Sequence, residues 1–282
     1  MLPSWLVLDK LLASWLAEDI GRGDFSTLGL GELAEVAGEA HWVAKGDGVI
    51  AGLPVAQRVF ALMENNIHFT AMVPEGKQVE AGRVIAKING PLKALLTAER
   101  VALNLTMRLS GIATMSRRYV TAIGELPAQL VDTRKTTPGL RILEKYASTV
   151  GGAHNHRMGL DDGVMVKDNH IAAAGGIGTA IEHIRQRVPY PISIEVETEN
   201  LGQVGEAIAH KADIIMLDNM SCDMMRAAVN QIRTADPDIK IEASGNVTLD
   251  TIRAVAETGV DYISSSAPIT RSPWLDISMR IQ

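Results

Sequence analysis

The chain has 282 residues, of which 46% are apolar and 21% charged, enough to bury a sizeable core as one large α/β domain or two smaller ones. A formal net charge of -6 argues against broad binding to nucleic acid or to an anionic membrane, so any anion site must be local. The single cysteine, Cys222, rules out an intrachain disulfide and a thiolate-rich zinc site; it fits a small buried apolar role in a reducing, cytoplasmic setting.

At the N-terminus, Trp5, Leu8, Leu12 and Trp15 recur at helical spacing, while Asp9 and Lys10 interrupt the apolar run. An amphipathic helix fits better than a signal peptide, which needs a basic start. No later stretch approaches the roughly 20 apolar residues of a membrane span. From 36 to 90 short β-like pieces broken by glycine ("VAGEAHWVAKGDGVIAG", "IHFTAMV", "EGKQVEAG", "VIAKING") surround one helix-like segment, "PVAQRVFALMEN", which predicts a small α+β unit. Pro91 suits a first helical turn, and 91–123 predicts one long helix or a pair, with Gly111 as a break or a close packing contact.

Beyond this helix, short apolar strands alternate with helical stretches: "AQLVDTRK", "GVMVKDNH", "ISIEVET", "IIMLDN", "IEASGN" and "YISSSAP" are the strands. Strand and helix in alternation build a parallel sheet. Every strand begins apolar and finishes polar, the signature of a β/α barrel whose site lies at the C-terminal strand ends. The candidates fall short of a complete barrel, so an incomplete or irregular one is expected, with an open doubly wound sheet as the competing architecture. The closing "WLDISMRIQ" alternates Leu275, Ile277, Met279 and Ile281 against Asp276, Ser278 and Arg280, a half-buried strand that returns to the N-terminal sheet or caps the barrel. The domain reading is therefore an N-terminal α/β sandwich over 1–110, a β/α barrel over 111–272, and 273–282 returning to the first.

The strand ends carry the chemistry. Arg134 and Lys135 finish the first barrel strand, "GGAHNHRMG" supplies His154, His156 and Arg157, and Lys167 finishes the next strand. Arginine forks match carboxylate or phosphate oxygens, and lysine adds a compact charge. The neighbouring cations favour an anion over a metal at the two histidines. Lys145 reads as a solvated helix residue. The next strands reverse the sign: Glu195, Glu197 and Glu199 alternate along one face, and Asp218 ends the following strand beside Asn219. Carboxylates so placed suit Mg²⁺, sugar hydroxyls or positive charge developing on a sugar ring. The last two ends, "ASGN" and "SSSAP", are small and uncharged, as a phosphate cradle in the final barrel loops requires.

Taken together, "EDIGRGDFST", "AERVALNLTMRLSGIAT", "DTRKTTPGLRILEKYA", "GGAHNHRMGLDDGVMVKDNHI", "IEVET", "MLDN" and "EASGNVTLDTI" resemble the quinolinate phosphoribosyltransferases over nearly the whole chain. The resemblance implies a homodimer, an α/β sandwich with an incomplete β/α barrel, and Mg²⁺-dependent joining of quinolinate to phosphoribosyl pyrophosphate with loss of pyrophosphate and CO₂. It implies that Arg134, His156, Arg157 and Lys167 hold the quinolinate carboxylates and that Arg100 reaches in from the partner subunit. Thr133 and Lys135 would contact the phosphoribosyl pyrophosphate, Glu197 and Asp218 its ribose and Mg²⁺, and Ser244, Gly245 and Asn246 with Ser265, Ser266 and Ala267 its 5′-phosphate. Many relatives carry a second glycine where Asn246 stands and a different run in place of "SSAPITRS"; backbone donors survive both changes, and the roles of the Asn246 and Arg271 side chains stay open. "EDIGRGDFST" reads as structural or near the substrate mouth. Competing readings are the sister family found beside molybdate-transport genes, a Schiff-base aldolase using Lys167, and a carrier module modified at Lys87, suggested by the hairpin-like "PEGKQVEAGRVIAKING".

Overall fold

The computed structural model describes residues 2–282. In chain order its elements are α1 (Trp5–Ile20), α2 (Phe25–Gly29), β1 (Ala37–Ala44), β2 (Gly48–Val49), α3 (Leu53–Met63), β3 (His68–Ala71), β4 (Gln78–Val79) and β5 (Val84–Pro91). Then come α4 (Leu92–Ile123), β6 (Gln129–Val131), α5 (Arg141–Val150), β7 (Val164–Val166), α6 (Asp168–Ala174), α7 (Ile177–Arg185), β8 (Ile194–Thr198) and α8 (Leu201–Ala209). The chain closes with β9 (Ile214–Asp218), α9 (Cys222–Ala235), β10 (Lys240–Ser244), α10 (Ile252–Ala256), β11 (Tyr262–Ser264), α11 (Ala267–Thr270) and β12 (Ile277–Ile281). They form two compact units, one of Met1–Arg117, Ile142–Gly151 and Ser272–Gln282, the other of Arg118–Arg141 and Gly152–Arg271.

The first unit is built on a four-stranded antiparallel sheet in the order β12-β1-β5-β3. The C-terminal strand thus lies beside β1, with Met279 opposite Trp42 and Ile277 opposite Ala44. Trp42, Phe60 and Phe69 gather in the core with ring centroids 5.8 to 6.0 Å apart, one pair edge to face. Helix α1 buries Leu8, Leu12 and Leu16, whereas Trp5 lies at the surface under the Arg58 guanidinium, 5.9 Å from its ring centre. Asp9, which seemed only to interrupt the apolar run, accepts two hydrogen bonds from Arg58 at 2.8 and 2.6 Å. In "EDIGRGDFST", Gly21 closes α1 and the Asp24 carboxylate caps α2 by accepting from Thr27 N–H at 3.0 Å, a structural use of the motif. Lys87 pairs across β5 with His41 and Thr70, inside the sheet and away from any hairpin tip, which removes the carrier reading.

Residues 92–123 form one unbroken helix. Gly111 does not break it: a Cβ there would collide with the Pro273 carbonyl, so glycine is a contact requirement. Lys145 departs from its expected solvated position. It is fully buried on α5, where every residue from Leu143 to Ser148 is buried, so its charge does not report exposure. Cys222 also departs from expectation: it is only half buried, at the first position of α9 beyond the Ser221 cap.

The second unit holds a six-stranded parallel sheet ordered β6-β11-β10-β9-β8-β7. Its first strand pairs with its last, and the remainder follow in sequence order. That circular order belongs to a barrel; a doubly wound sheet would reverse direction part-way and leave its first strand inside. The ring stays open between β6 and β7, where the loop residue His154 makes a single parallel bridge to Val131.

Candidate active site

Strand parity decides what faces the barrel interior. In β8, Ile194, Val196 and Thr198 alternate with Glu195 and Glu197; in β10, Ile241 and Ala243 alternate with Glu242 and Ser244. Parallel pairing aligns these faces, with Glu242 opposite Met216, Ser244 opposite Asp218, and Met165 opposite Glu195. The C-terminal ends of all six strands open into one cleft of about 770 Å³. Thr133, Arg134, Lys135, His156, Arg157, Lys167, Glu197, Asp218, Ser244, Gly245, Asn246, Ser265, Ser266 and Ala267 all line it. Of the residues expected at the site, Arg100 is absent from this lining; it stands exposed on α4, 4.0 Å from Glu99.

The cations are held by a carboxylate that sequence reasoning passed over. Asp132, buried at the end of β6, accepts from the Asn155 amide at 2.6 Å and from His156 N–H at 3.0 Å, which fastens the "HNHR" loop beside Arg134. Arg157 donates to the Gly163 carbonyl at 2.8 Å. Burial, and then the charge of Arg134, push its guanidinium below the ordinary arginine range, against the pull of Glu195. The Arg134 Nε is buried without a hydrogen-bond partner. Crowded, incompletely paired guanidiniums are what an incoming anion would relieve.

Deeper in the barrel His156 Nε2 lies 3.0 Å from Glu195 Oε2 and 3.5 Å from Glu242 Oε2. Burial opposes protonation of the ring, but hydrogen bonds and charge from the two glutamates outweigh it and lift the pKa to about 10. Burial likewise raises the Glu195 carboxyl above its usual range. The donor atoms of His156, Glu195 and Glu242 lie within 4.8 Å of one another, a set that could hold a metal ion, though Arg157 stands close enough to feel the Glu195 charge. Neither Glu195 nor Glu242 was singled out for this use, although parity with Glu197 and Ser244 gave the signal.

Lys167, the N-cap of α6, places its Nζ 3.0 Å from Glu197 Oε2. An ammonium held by a carboxylate is not a free amine, which weighs against a Schiff base. Asp218 accepts from the Asn219 amide at 2.6 Å, and Asn246 donates to Asn219 at 3.3 Å. Asn219 and Asn246 have φ of 53° and 49°, the left-handed region that asparagine tolerates and glycine favours. That explains how an asparagine can occupy a left-handed position at 246. At Gly245, φ is 97° and a Cβ would strike the Asn219 side chain, so this loop admits only glycine. His154 turns its side chain to solvent. Met165, Met216 and Arg271 also line the cleft, the methionines giving an apolar surface between the charges.

Fold and site together define an incomplete β/α-barrel protein with a local anion pocket, a carboxylate pair and a small-residue loop cradle at its strand ends. The chain belongs to the quinolinate phosphoribosyl transferase family: the model of its C-terminal domain matches residues 112–280 and that of its N-terminal domain residues 24–110. It is 62% identical over 280 residues to the probable nicotinate-nucleotide pyrophosphorylase [carboxylating] of Synechocystis sp., covering 99% of this chain and 94% of that one. Against the Bacillus subtilis protein of the same description identity is 45%, covering 98% and 94%. The crystal structure of NadC from Streptococcus pyogenes superposes with a TM-score of 0.95 at 40% identity, covering 100% of this chain and 99% of the other.

Proposed function

We propose that the protein transfers the phosphoribosyl group of phosphoribosyl pyrophosphate to quinolinate and decarboxylates the adduct, giving nicotinate mononucleotide, pyrophosphate and CO₂ for NAD synthesis. The observation that carries this reading is the order of charge around the cleft: cations from β6, the "HNHR" loop and β7, carboxylates from β8 and β9, then glycine- and serine-rich loops after β10 and β11. A pyridine dicarboxylate fits the first, a ribose the second and a 5′-phosphate the third.

In this reading Arg134, Arg157 and Lys167, with His156 among them, form the quinolinate pocket. Arg100 joins it from the partner of a homodimer. Thr133 and Lys135 lie along the pyrophosphate, and the two loops, 244–246 and 265–267, take the 5′-phosphate through backbone and hydroxyl donors. Glu197 and Asp218 face the ribose. The donor set suits Mg²⁺: two hard carboxylates on adjacent strands, each with one oxygen engaged, Glu197 by Lys167 and Asp218 by Asn219, and one oxygen over. Such an ion needs only one or two protein carboxylates alongside substrate phosphates, and when bound it offsets charge on the departing pyrophosphate.

The C1–O bond to pyrophosphate breaks as the ribose gains oxocarbenium character, which the Glu197 and Asp218 carboxylates stabilise. The pyridine nitrogen, aligned by its two anchored carboxylates, forms the new bond to C1. The quaternised ring then accepts the electron pair released as the C2 carboxylate leaves as CO₂, and a solvent proton fills C2. No general base is required. The single Cys222 is consistent with a cytoplasmic setting for this chemistry.

Incubation with quinolinate, phosphoribosyl pyrophosphate and Mg²⁺ is expected to yield CO₂ and nicotinate mononucleotide in equal amounts. Lys135→Ala and Asp218→Ala should each abolish nucleotide formation while circular dichroism and Tm stay near the parent; full turnover in either variant would overturn these assignments.

A further inference from the structure

We infer that Arg271 is a substrate-binding residue that supplies the charged donor to the 5′-phosphate of phosphoribosyl pyrophosphate. This rests on the phosphoribosyl reading of the cleft and deepens it, because the loops after β10 and β11 otherwise offer that phosphate only neutral donors. Arg271 lines the cleft, and among the described lining residues that follow Asp218 in the chain it is the only cation. The other cations there, Arg134, Lys135, His156, Arg157 and Lys167, come from the end of β6, the "HNHR" loop and the end of β7. The Arg271 guanidinium makes no hydrogen bond or ion pair with any described residue, although it lies near enough to Tyr119 on α4 for the phenol to feel its charge.

The local backbone shows why a charged donor is needed. After β11, the Ser265 N–H is donated to the Val131 carbonyl at 3.1 Å. The buried Ser265 hydroxyl donates to the Val247 carbonyl at 3.4 Å and accepts from the Ala267 N–H at 3.3 Å, so it ties the two loops together. Ser266 keeps its N–H and hydroxyl to offer. The helices that follow the loops add little, since α10 has five residues and α11 four, and a helix dipole is a sum over aligned peptides. A phosphate monoester carries a charge of about −1.5 to −2 near neutral pH. An arginine fork pairs with two of its oxygens at once. Arg271 ends α11 with its N–H donated to the Ala267 carbonyl at 3.0 Å, one turn beyond the loop. Residues four apart share a helix face, so its side chain starts on the side of Ala267. It is exposed and has no protein partner to release before it turns onto an anion.

The test uses ribose 5-phosphate and inorganic pyrophosphate, with Mg²⁺ present, as probes of the two ends of the donor substrate. In Arg271→Ala the calorimetric affinity for ribose 5-phosphate should fall about tenfold or more, the scale of one charge-assisted hydrogen bond. KM for phosphoribosyl pyrophosphate should rise by a similar factor, while affinity for pyrophosphate and KM for quinolinate stay near the parent values. Arg271→Lys keeps the charge without the fork and should fall between the parent and the alanine variant. The side chain is exposed, so Tm should hold in both variants. Equal weakening of both probes, a larger loss for pyrophosphate, a selective rise in KM for quinolinate, or no change at all would each overturn the inference. So would a parent protein that binds no ribose 5-phosphate. A parent that binds it through Arg271 but makes no nicotinate mononucleotide defeats the functional reading and leaves the phosphate assignment standing. A parent that turns over, with an alanine variant that binds ribose 5-phosphate equally well, defeats the assignment alone.

Discussion

Asn219, Gly245 and Asn246 illustrate how backbone conformation and side-chain chemistry meet in a few residues. All have positive φ, and the Asn246–Asn219–Asp218 hydrogen bonds run from the loop after β10 to the carboxylate that ends β9. A side chain at Gly245 meets both a steric and a conformational penalty, since its Cβ would press on Asn219 and an alanine at φ 97° is strained. Gly245→Ala is therefore expected to raise KM for phosphoribosyl pyrophosphate about tenfold or more, on the order of 1.4 kcal/mol of lost binding, with KM for quinolinate little changed. Isotope-trap or steady-state measurements with each substrate varied would check this, and an equal rise for both would sink it. The glycine and asparagine signals were visible in "ASGN" and "LDN", but their coupling was not, because it depends on two strands lying side by side.

At the scale of elements, α4 and the barrel strands obey different rules. Glycine inside a helix normally costs about 1 kcal/mol relative to alanine, so Gly111→Ala in a free helix would stabilise it. Here the Pro273 carbonyl occupies the space, and the sign reverses: the substitution should destabilise the protein by about 2 kcal/mol through overpacking, read as a lower urea midpoint. A midpoint equal to or above the parent's would show that Pro273 yields. The barrel strands were legible because alternation with period two is a local property, and all six appear where the pattern put them. The polar strand ends were legible for the same reason. Glu195 was placed on one face with Glu197 by the same alternation, but the parity that puts Glu242 two residues before Ser244 on the inward face went unused. The burial of Lys145 could not be read locally, since it depends on what packs around α5.

For the molecule as a whole, chain order and spatial order diverge. The first unit takes its last strand from the C-terminus, and β12 covers the edge of β1 from Ala40 to Ala44. Removing 277–282 would expose that edge and the Trp42 side of the sheet, and an uncovered edge templates association. The truncated protein should show a lower Tm and larger soluble species by light scattering; an unchanged size distribution and Tm would mean that β12 contributes nothing to the sheet. The sequence by itself determined the strands and helices, the polar character of the barrel mouth, and the final alternating strand, because each follows from the periodicity of a few adjacent residues. Only the tertiary structure decided that the first barrel strand pairs with the last, that Asp132 fastens the histidine loop, and that His156 meets two buried glutamates. Those outcomes depend on residues far apart in the chain becoming neighbours, and no local pattern carries that information.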